Sequence, residues 1–138
     1  ALDVSVQKNI IQLLVKLQQQ RGLTMVFICH DVALVRSVSH QTAIMYLGNV
    51  VELMPGGSFG EGKMHPYTSM LMDSVFSLDM DFSQPVGLSQ GDPPTPIGQS
   101  SGCPFKSRCS YRMPVCNEQQ PELKPVEPGH EIACHLFR

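Results

Sequence analysis

The segment Gln41–Leu53 has the sequence QTAIMYLGNVVEL, in which two short apolar runs lie on either side of a Gly-Asn pair. The first run, Gln41–Tyr46, and the second, Val50–Leu53, are each of strand length, and residues 47–49 between them favour a tight turn. The segment therefore predicts a β-hairpin.

Upstream of this hairpin, the sequence predicts an amphipathic helix. Apolar residues recur every three to four positions from Val6 to Leu17, among Gln and Lys residues. This is the spacing of a helix with one apolar face. Asp3 or Ser5 is expected to cap its N-terminus, and Gly22 is expected to end it in a left-handed conformation.

A strand and a short helix are expected between the first helix and the hairpin. The apolar run Thr24–Cys29 is typical of a strand covered on both faces in an α/β sheet, so Cys29 is expected to be buried and inert. Asp31 predicts the N-cap of a helix over Val32–Val38. His30 would then lie at the carboxyl edge of a sheet, where open α/β sheets bind ligands.

Prolines and cysteines concentrate in the second half of the chain. Nine of the eleven prolines lie between Pro85 and Pro128. A helix is predicted from Pro66 to about Ser77, and mostly irregular structure beyond it, including a polyproline-like segment at Asp92–Pro96. Four of the five cysteines also lie in this half: Cys103, Cys109, Cys116 and Cys134.

The composition excludes several classes of protein. The chain has 138 residues, 42% of them hydrophobic, and a net charge of −2, which suits one folded domain with or without a tail. Basic residues form no cluster, so a nucleic-acid partner is not expected. The apolar runs are far shorter than the roughly 18 residues that span a bilayer, and no signal peptide opens the chain, which together predict a cytosolic protein.

The four cysteines of the second half predict a cross-link, because their segment offers few apolar residues for a core. Two disulfides, a Zn²⁺ site and an iron–sulfur cluster are the alternatives. Disulfides are disfavoured in a reducing cytosol, and the cysteine spacings are longer than those of usual zinc knuckles. Four thiolates at irregular spacing suit a [4Fe-4S] cluster, with His130 and His135 as substitute or supporting ligands. Unligated thiols remain a fourth alternative.

Stretches along the whole chain resemble the ATP-binding cassette (ABC) ATPases. Residues 1–7 resemble the D-loop and the helix after it, residues 26–31 the strand with the switch histidine, and residues 44–52 the terminal hairpin. Five further stretches resemble the C-terminal extension of the dipeptide and oligopeptide importer subfamily: HPYT at 65–68, GDPPTP at 91–96, SGCPF at 101–105, PGH at 128–130 and ACH at 133–135.

The resemblance implies an α/β fold class: the C-terminal part of a P-loop NTPase-type ABC ATPase domain over residues 1–63, then a mostly irregular Cys/Pro-rich extension over residues 64–138. His30 would contact the γ-phosphate of ATP and help to position the attacking water. Asp3 would contact a partner cassette. The family's Walker A loop, signature sequence and Walker B carboxylates are missing from these residues. The chain is therefore expected to be the C-terminal part of an ATPase subunit and inactive by itself.

The implied function is that of the ATP-hydrolysing subunit of a bacterial peptide importer, which couples ATP binding and hydrolysis to transport. The parent protein would bind ATP and Mg²⁺, and a [4Fe-4S] cluster, or Zn²⁺ as the alternative, would bind the four cysteines. The partners would be a second ABC ATPase subunit, transmembrane permease subunits at the cytoplasmic face of the inner membrane and, indirectly, a peptide-binding protein. The chain alone is expected to self-associate through apolar surface of the first helix and strand. The alternative function is a stand-alone iron–sulfur or zinc-binding regulatory module.

Overall fold

The computed structural model describes residues 4–74 and 101–137. Several expectations concern residues outside these ranges. They are the N-cap and the dimer contact at Asp3, the helix end near Ser77 and the extended segment Asp92–Pro96.

In the described parts of the chain, four strands form one antiparallel sheet in the order β1-β2-β4-β3. β1 spans Gln41–Tyr46, β2 spans Asn49–Pro55, β3 spans Lys124–Glu127 and β4 spans His130–Ile132. The predicted hairpin is confirmed as β1 and β2. The hairpin of β3 and β4 differs from the irregular extension that the sequence predicts, and a Pro-Gly turn at residues 128–129 connects its strands. The described residues thus form a mixed α and β fold with an antiparallel sheet.

The turn of the first hairpin requires an unusual backbone. Leu47 and Gly48 both have positive φ, at 46° and 78°, the combination found in type I′ turns. Glycine adopts this conformation without steric cost, whereas Leu47 does not. The Asn49 Nδ2 donates a hydrogen bond of 3.0 Å to the Leu47 carbonyl oxygen, which helps to hold the turn.

The first helix is longer than its apolar pattern predicts. α1 spans Val4–Arg21, so Ser5 lies inside the helix and its prediction as the N-cap is wrong. The predicted C-terminal cap is confirmed, because Gly22 has a φ of 62°. The Leu23 N–H donates to the Gln18 carbonyl oxygen at 3.2 Å, which is the bonding of a Schellman motif.

The run Thr24–Cys29 forms no strand in the structure, so that prediction is wrong. Val26 and Ile28 are 86% and 97% exposed, and Cys29 is exposed rather than buried. A strand needs a neighbour for its backbone N–H and C=O groups, and the four strands of the described sheet pair only with one another. Large apolar side chains of α1 are exposed as well: Val6, Ile10, Leu13 and Leu17.

α2 spans Val32–Val38, as predicted. The Asp31 Oδ1 accepts a 3.0 Å hydrogen bond from the Leu34 N–H, which confirms Asp31 as the N-cap. The end of α2 lies against the 3₁₀ turn that follows β2. A Cβ on Gly56 in that turn would lie 1.9 Å from the Ser39 carbonyl oxygen, so only glycine fits this close approach.

Two more helices and the sheet enclose a small core. α3 spans Pro66–Asp73 and begins at the predicted proline, and α4 spans Val115–Glu118. The buried core combines residues of the first hairpin and the residue after the following 3₁₀ turn with residues of the second half: Ile44, Tyr46, Val51, Met54, Phe59, Cys103, Phe105 and Cys116. Strands from residues 1–63 and from residues 64–138 share one sheet, and the division into these two domains stays a prediction. Within residues 4–74 and 101–137, no helix is long and apolar enough to cross a membrane.

Candidate functional site

His30 lies in the bend between the exposed run Thr24–Cys29 and α2. Its side chain is exposed, and the neighbouring Asp31 caps the helix. The Cys29 Sγ donates to the Asp31 carbonyl oxygen at 3.8 Å. The structure therefore places His30 immediately before a helix, as predicted, although no strand precedes it. Contact between His30 and ATP stays a prediction.

Cys103 and Cys116 lie in the core and Cys109 packs against it, and Cys134 lies within electrostatic range of all three. We call these four residues the four-cysteine cluster. Cys103 and Cys116 are each 7% exposed, whereas Cys109 and Cys134 are partly exposed. The Cys103 N–H donates to the Cys116 carbonyl oxygen at 2.8 Å. All four thiols are free.

Burial raises the pKa of three of these thiols. The pKa of Cys134 rises to about 11, chiefly because burial disfavours the thiolate, and also because charge on the other three sulfurs would repel it. The pKa values of Cys103 and Cys109 are raised by the same two causes. The sulfurs are thus close enough to influence one another, and these three thiols are protonated near neutral pH.

The described arrangement does not form a ready metal site. Among residues 4–74 and 101–137, no group of three or more His, Cys, Asp or Glu side chains is placed to hold a metal ion. The two histidines expected as supporting ligands have other partners. His130 bonds to Glu52, and the His135 Nε2 lies 2.9 Å from the Gln119 carbonyl oxygen. Zinc and iron–sulfur binding therefore gain no support from the geometry, and ligation by the four cysteines stays a prediction.

A buried carboxylate joins three parts of the fold. Glu52 on β2 is 0% exposed, and its Oε2 accepts hydrogen bonds from the His65 backbone N–H, at 3.0 Å, and from the Thr68 hydroxyl. Its Oε1 accepts a 2.7 Å hydrogen bond from the Nε2 of His130 on β4. His65, Thr68 and His130 are also buried. We call these four residues the Glu52 joint, since they connect β2, the start of α3 and β4.

The position of Glu52 explains why it needs this many donors. β2 lies between β1 and β4, and Glu52 pairs with Ile44 on one side and Ile132 on the other. A carboxylate in such apolar surroundings is costly unless hydrogen bonds and a nearby positive or polar group compensate for lost water. Three donors on two oxygens supply that compensation.

His65 contributes two hydrogen bonds to this region, one from its backbone N–H to Glu52 and one to its ring. The His65 Nδ1 accepts a 3.0 Å hydrogen bond from the Tyr67 N–H, and this caps α3 immediately before Pro66. His65 is therefore the N-cap of α3, directly before the proline at which the helix was predicted to begin. Burial lowers the pKa of His65 to about 4. The ring is consequently neutral at pH 7 and can accept the capping bond.

Sequence patterns do not predict the Glu52 joint, although the sequence contains one signal for it. Glu52 is the only charged residue in Val50–Met54, and a carboxylate within an apolar central strand implies a buried partner. The partner itself could not be identified, because His130 lies 78 positions further along the chain.

Comparison with known proteins identifies the family. Residues 51–116 match the family described as oligopeptide/dipeptide transporter, C-terminal region. The chain is 41% identical to "Putative oligopeptide transport ATP-binding protein YkfD" of Bacillus subtilis over 140 residues, which covers 100% of this chain and 43% of that protein. The chain belongs to the oligopeptide and dipeptide ABC transporter ATP-binding family.

Two further relatives in this family have similar names. "Oligopeptide transport ATP-binding protein AppF" of Bacillus subtilis is 39% identical over 99% of this chain and 42% of its own length. "Probable peptide ABC transporter ATP-binding protein y4tS" of Sinorhizobium fredii is 39% identical over 99% of this chain and 38% of its own length. The chain thus spans about two fifths of the length of these oligopeptide and dipeptide ABC transporter relatives.

Proposed function

We propose that this chain is the C-terminal part of the ATP-hydrolysing subunit of a bacterial peptide importer. Similarity to proteins named as peptide transport ATP-binding proteins over at least 99% of the chain supports this proposal. The complete subunit would bind ATP and Mg²⁺ and pair with a second ABC ATPase subunit. It would associate with permease subunits at the cytoplasmic face of the inner membrane and act indirectly with a peptide-binding protein.

The role proposed for His30 is to position the attacking water at the γ-phosphate of ATP. Its exposed imidazole lies next to the capped start of α2, so its backbone is tied to a helix while its side chain is accessible. The remainder of the subunit would hold the nucleotide. Phosphoryl transfer depends on such positioning and on stabilisation of the developing charge.

The test is the substitution His30→Ala in the complete subunit assembled with its permease. We expect ATP to remain bound while hydrolysis slows by about 100-fold or more, because the change removes positioning in the transition state rather than ground-state binding. His40→Ala is the matched control, since His40 is also an exposed histidine close to α2 and should leave hydrolysis unchanged. Equal hydrolysis rates for both variants would exclude the proposed role of His30.

We further propose that the four-cysteine cluster takes up a [4Fe-4S] cofactor. The support is chemical: thiolates are the usual ligands of such clusters, and four thiols lie within electrostatic range of one another, two of them in the core. Because the described sulfurs do not form a ready metal site and three have a raised pKa, binding would require side-chain movement and release of protons. The bound cofactor would cross-link residues 103–116 to Cys134.

Anaerobic purification of the chain tests this cofactor proposal without any measurement of ATPase activity. We expect brown protein with bound iron and sulfide, and loss of both when any of Cys103, Cys109, Cys116 or Cys134 is changed to Ser. Cys29→Ser is the matched control, because Cys29 is exposed and lies outside the cluster, and it should retain the iron. Colourless, iron-free protein after anaerobic reconstitution would exclude the cofactor.

A further inference from the structure

The four-cysteine cluster contains one pair of residues whose backbones are in direct contact. We propose that in the metal-free chain Cys103 and Cys116 close into a reversible disulfide under oxidising conditions, while Cys109 and Cys134 remain thiols. This inference depends neither on ATP hydrolysis nor on the uptake of iron.

The geometry of the backbone supports this pair. The Cys103 N–H donates to the Cys116 carbonyl oxygen at 2.8 Å, and with standard bond lengths such a bond keeps the two α-carbons within about 7 Å. Disulfides usually join α-carbons roughly 4.4–6.8 Å apart. The pair is therefore held at or close to bridging distance before any oxidation.

Neighbouring residues also bring these two backbones close together. A Cβ on Gly102 would lie 2.4 Å from the Cys116 carbonyl oxygen, so only glycine permits this approach at its φ of 94°. The Ser101 hydroxyl also donates to the Asn117 carbonyl oxygen at 3.4 Å. Three consecutive residues, Ser101 to Cys103, therefore lie against the backbone of Cys116 and Asn117.

The other two cysteines lack such an arrangement. Within the described residues, neither Cys109 nor Cys134 has a backbone hydrogen bond to another cysteine: their carbonyl oxygens accept from Arg112 and Phe137. Both side chains are partly exposed, whereas Cys103 and Cys116 are buried. Cys109 and Cys134 are therefore the accessible points of attack, and the buried pair is the preferred final position of the bond.

The oxidation balances with glutathione disulfide as the oxidant. A partly exposed thiolate first attacks the glutathione disulfide, releasing one molecule of reduced glutathione and forming a mixed disulfide on the protein. A neighbouring cysteine displaces the second molecule, and intramolecular exchange moves the bond to Cys103 and Cys116. Overall, these two thiols lose two hydrogen atoms, one sulfur–sulfur bond forms in the protein, and glutathione disulfide is reduced to two thiols.

The experiment equilibrates the whole chain, in the presence of a metal chelator, with glutathione buffers of increasing oxidised fraction. Remaining thiols are then blocked with N-ethylmaleimide, and disulfide-linked peptides are mapped by mass spectrometry. We expect the dominant linkage to join Cys103 and Cys116. The double variant C109S/C134S should form the same linkage at equilibrium, within twofold at each buffer composition, although more slowly.

The outcomes separate this proposal from its alternatives. A dominant linkage that includes Cys109 or Cys134 would overturn the proposal. So would cysteines that, in the most oxidising buffer, carry only glutathione or remain thiols that N-ethylmaleimide labels completely. The mapping of the unmodified chain tests the assigned pair whether or not a variant folds. Loss of the Cys103–Cys116 linkage at equilibrium in C109S/C134S that keeps the circular dichroism spectrum of the unmodified chain would also overturn the assigned pair.

Discussion

Changing His130 to Ala tests whether the Glu52 joint holds the end of the chain to the first hairpin. The change removes the donor that lies 2.7 Å from the Glu52 Oε1 and leaves that oxygen in a side chain that is 0% exposed. Removing one partner of a buried ionic or hydrogen-bonded pair typically costs about 3–5 kcal/mol. Since whole domains are stable by only about 5–15 kcal/mol, we expect a large loss of stability.

Urea denaturation of the whole chain, followed by far-ultraviolet circular dichroism at pH 7, measures this loss. His135→Ala is the matched control, because the His135 ring is partly exposed and bonds to one backbone carbonyl. Its cost should be about 1 kcal/mol or less.

A conservative variant distinguishes the missing donor from other effects of removing the histidine. In His130→Gln a side-chain amide N–H can still donate to the Glu52 Oε1, and Glu52 keeps its bonds to the His65 N–H and the Thr68 hydroxyl. It should therefore lose less stability than His130→Ala. If His130→Ala and His135→Ala lower the free energy of unfolding equally, the bond between His130 and Glu52 does not make the proposed contribution to stability.

Three further predictions follow from burial and exposure. The pKa of His65 is about 4 in the folded chain against an ordinary value of 6.5. As the pH falls, this histidine is therefore protonated in the unfolded chain before it is protonated in the folded chain. The free energy of unfolding should decrease between pH 6.5 and 4 by up to about 3 kcal/mol. His65→Asn, which can still cap α3, should flatten this slope in urea titrations; an unchanged slope would contradict the assignment. The pKa of Cys134 is about 11. In metal-free protein at pH 8, Cys134 should therefore react with iodoacetamide about 100-fold more slowly than a model thiol of ordinary pKa. Peptide mapping should show that the exposed Cys29 is alkylated before Cys134. Sedimentation at micromolar concentration should find dimers or larger species of the chain, and V26D/I28D should shift them towards monomer; a wild-type chain that is purely monomeric would count against self-association.

Local sequence patterns predicted the elements whose hydrogen bonds are also local. The hairpin of β1 and β2, the cap at Asp31, the proline start of α3 and the glycine end of α1 each depend on residues within a few positions. Such turns and caps are specified by side chains that bond to their own neighbourhood. The pattern of the first half was therefore sufficient for these elements.

The failed predictions concern features that depend on distant partners. The run Thr24–Cys29 has a strand composition, but the described residues supply no neighbouring strand, and its side chains are largely exposed. The strands β3 and β4 were missed because they are short and depend on pairing with β2. Tertiary pairing overrides intrinsic strand preference in both directions.

The candidate site shows the same division. The four cysteines were proposed as metal ligands from their positions in the sequence, and that ligation stays a prediction, although their sulfurs lie within electrostatic range of one another. The backbone contact between Cys103 and Cys116 could not be predicted, because it depends on the close approach at Gly102.

The strand order β1-β2-β4-β3 has a consequence for how the chain folds during synthesis. β1 and β2 are adjacent in the chain and can pair within microseconds, but β4 follows Glu52 by nearly 80 residues. At about 5–20 residues per second, a ribosome needs roughly 4–16 s to add that length. During this interval the Glu52 Oε1 has no His130 to bond and must stay hydrated, although Oε2 can already accept from the His65 N–H and the Thr68 hydroxyl. The last strand therefore completes the sheet late, and a chain released before His130 should leave a hydrated carboxylate on an open strand edge, a feature that proteolysis can recognise.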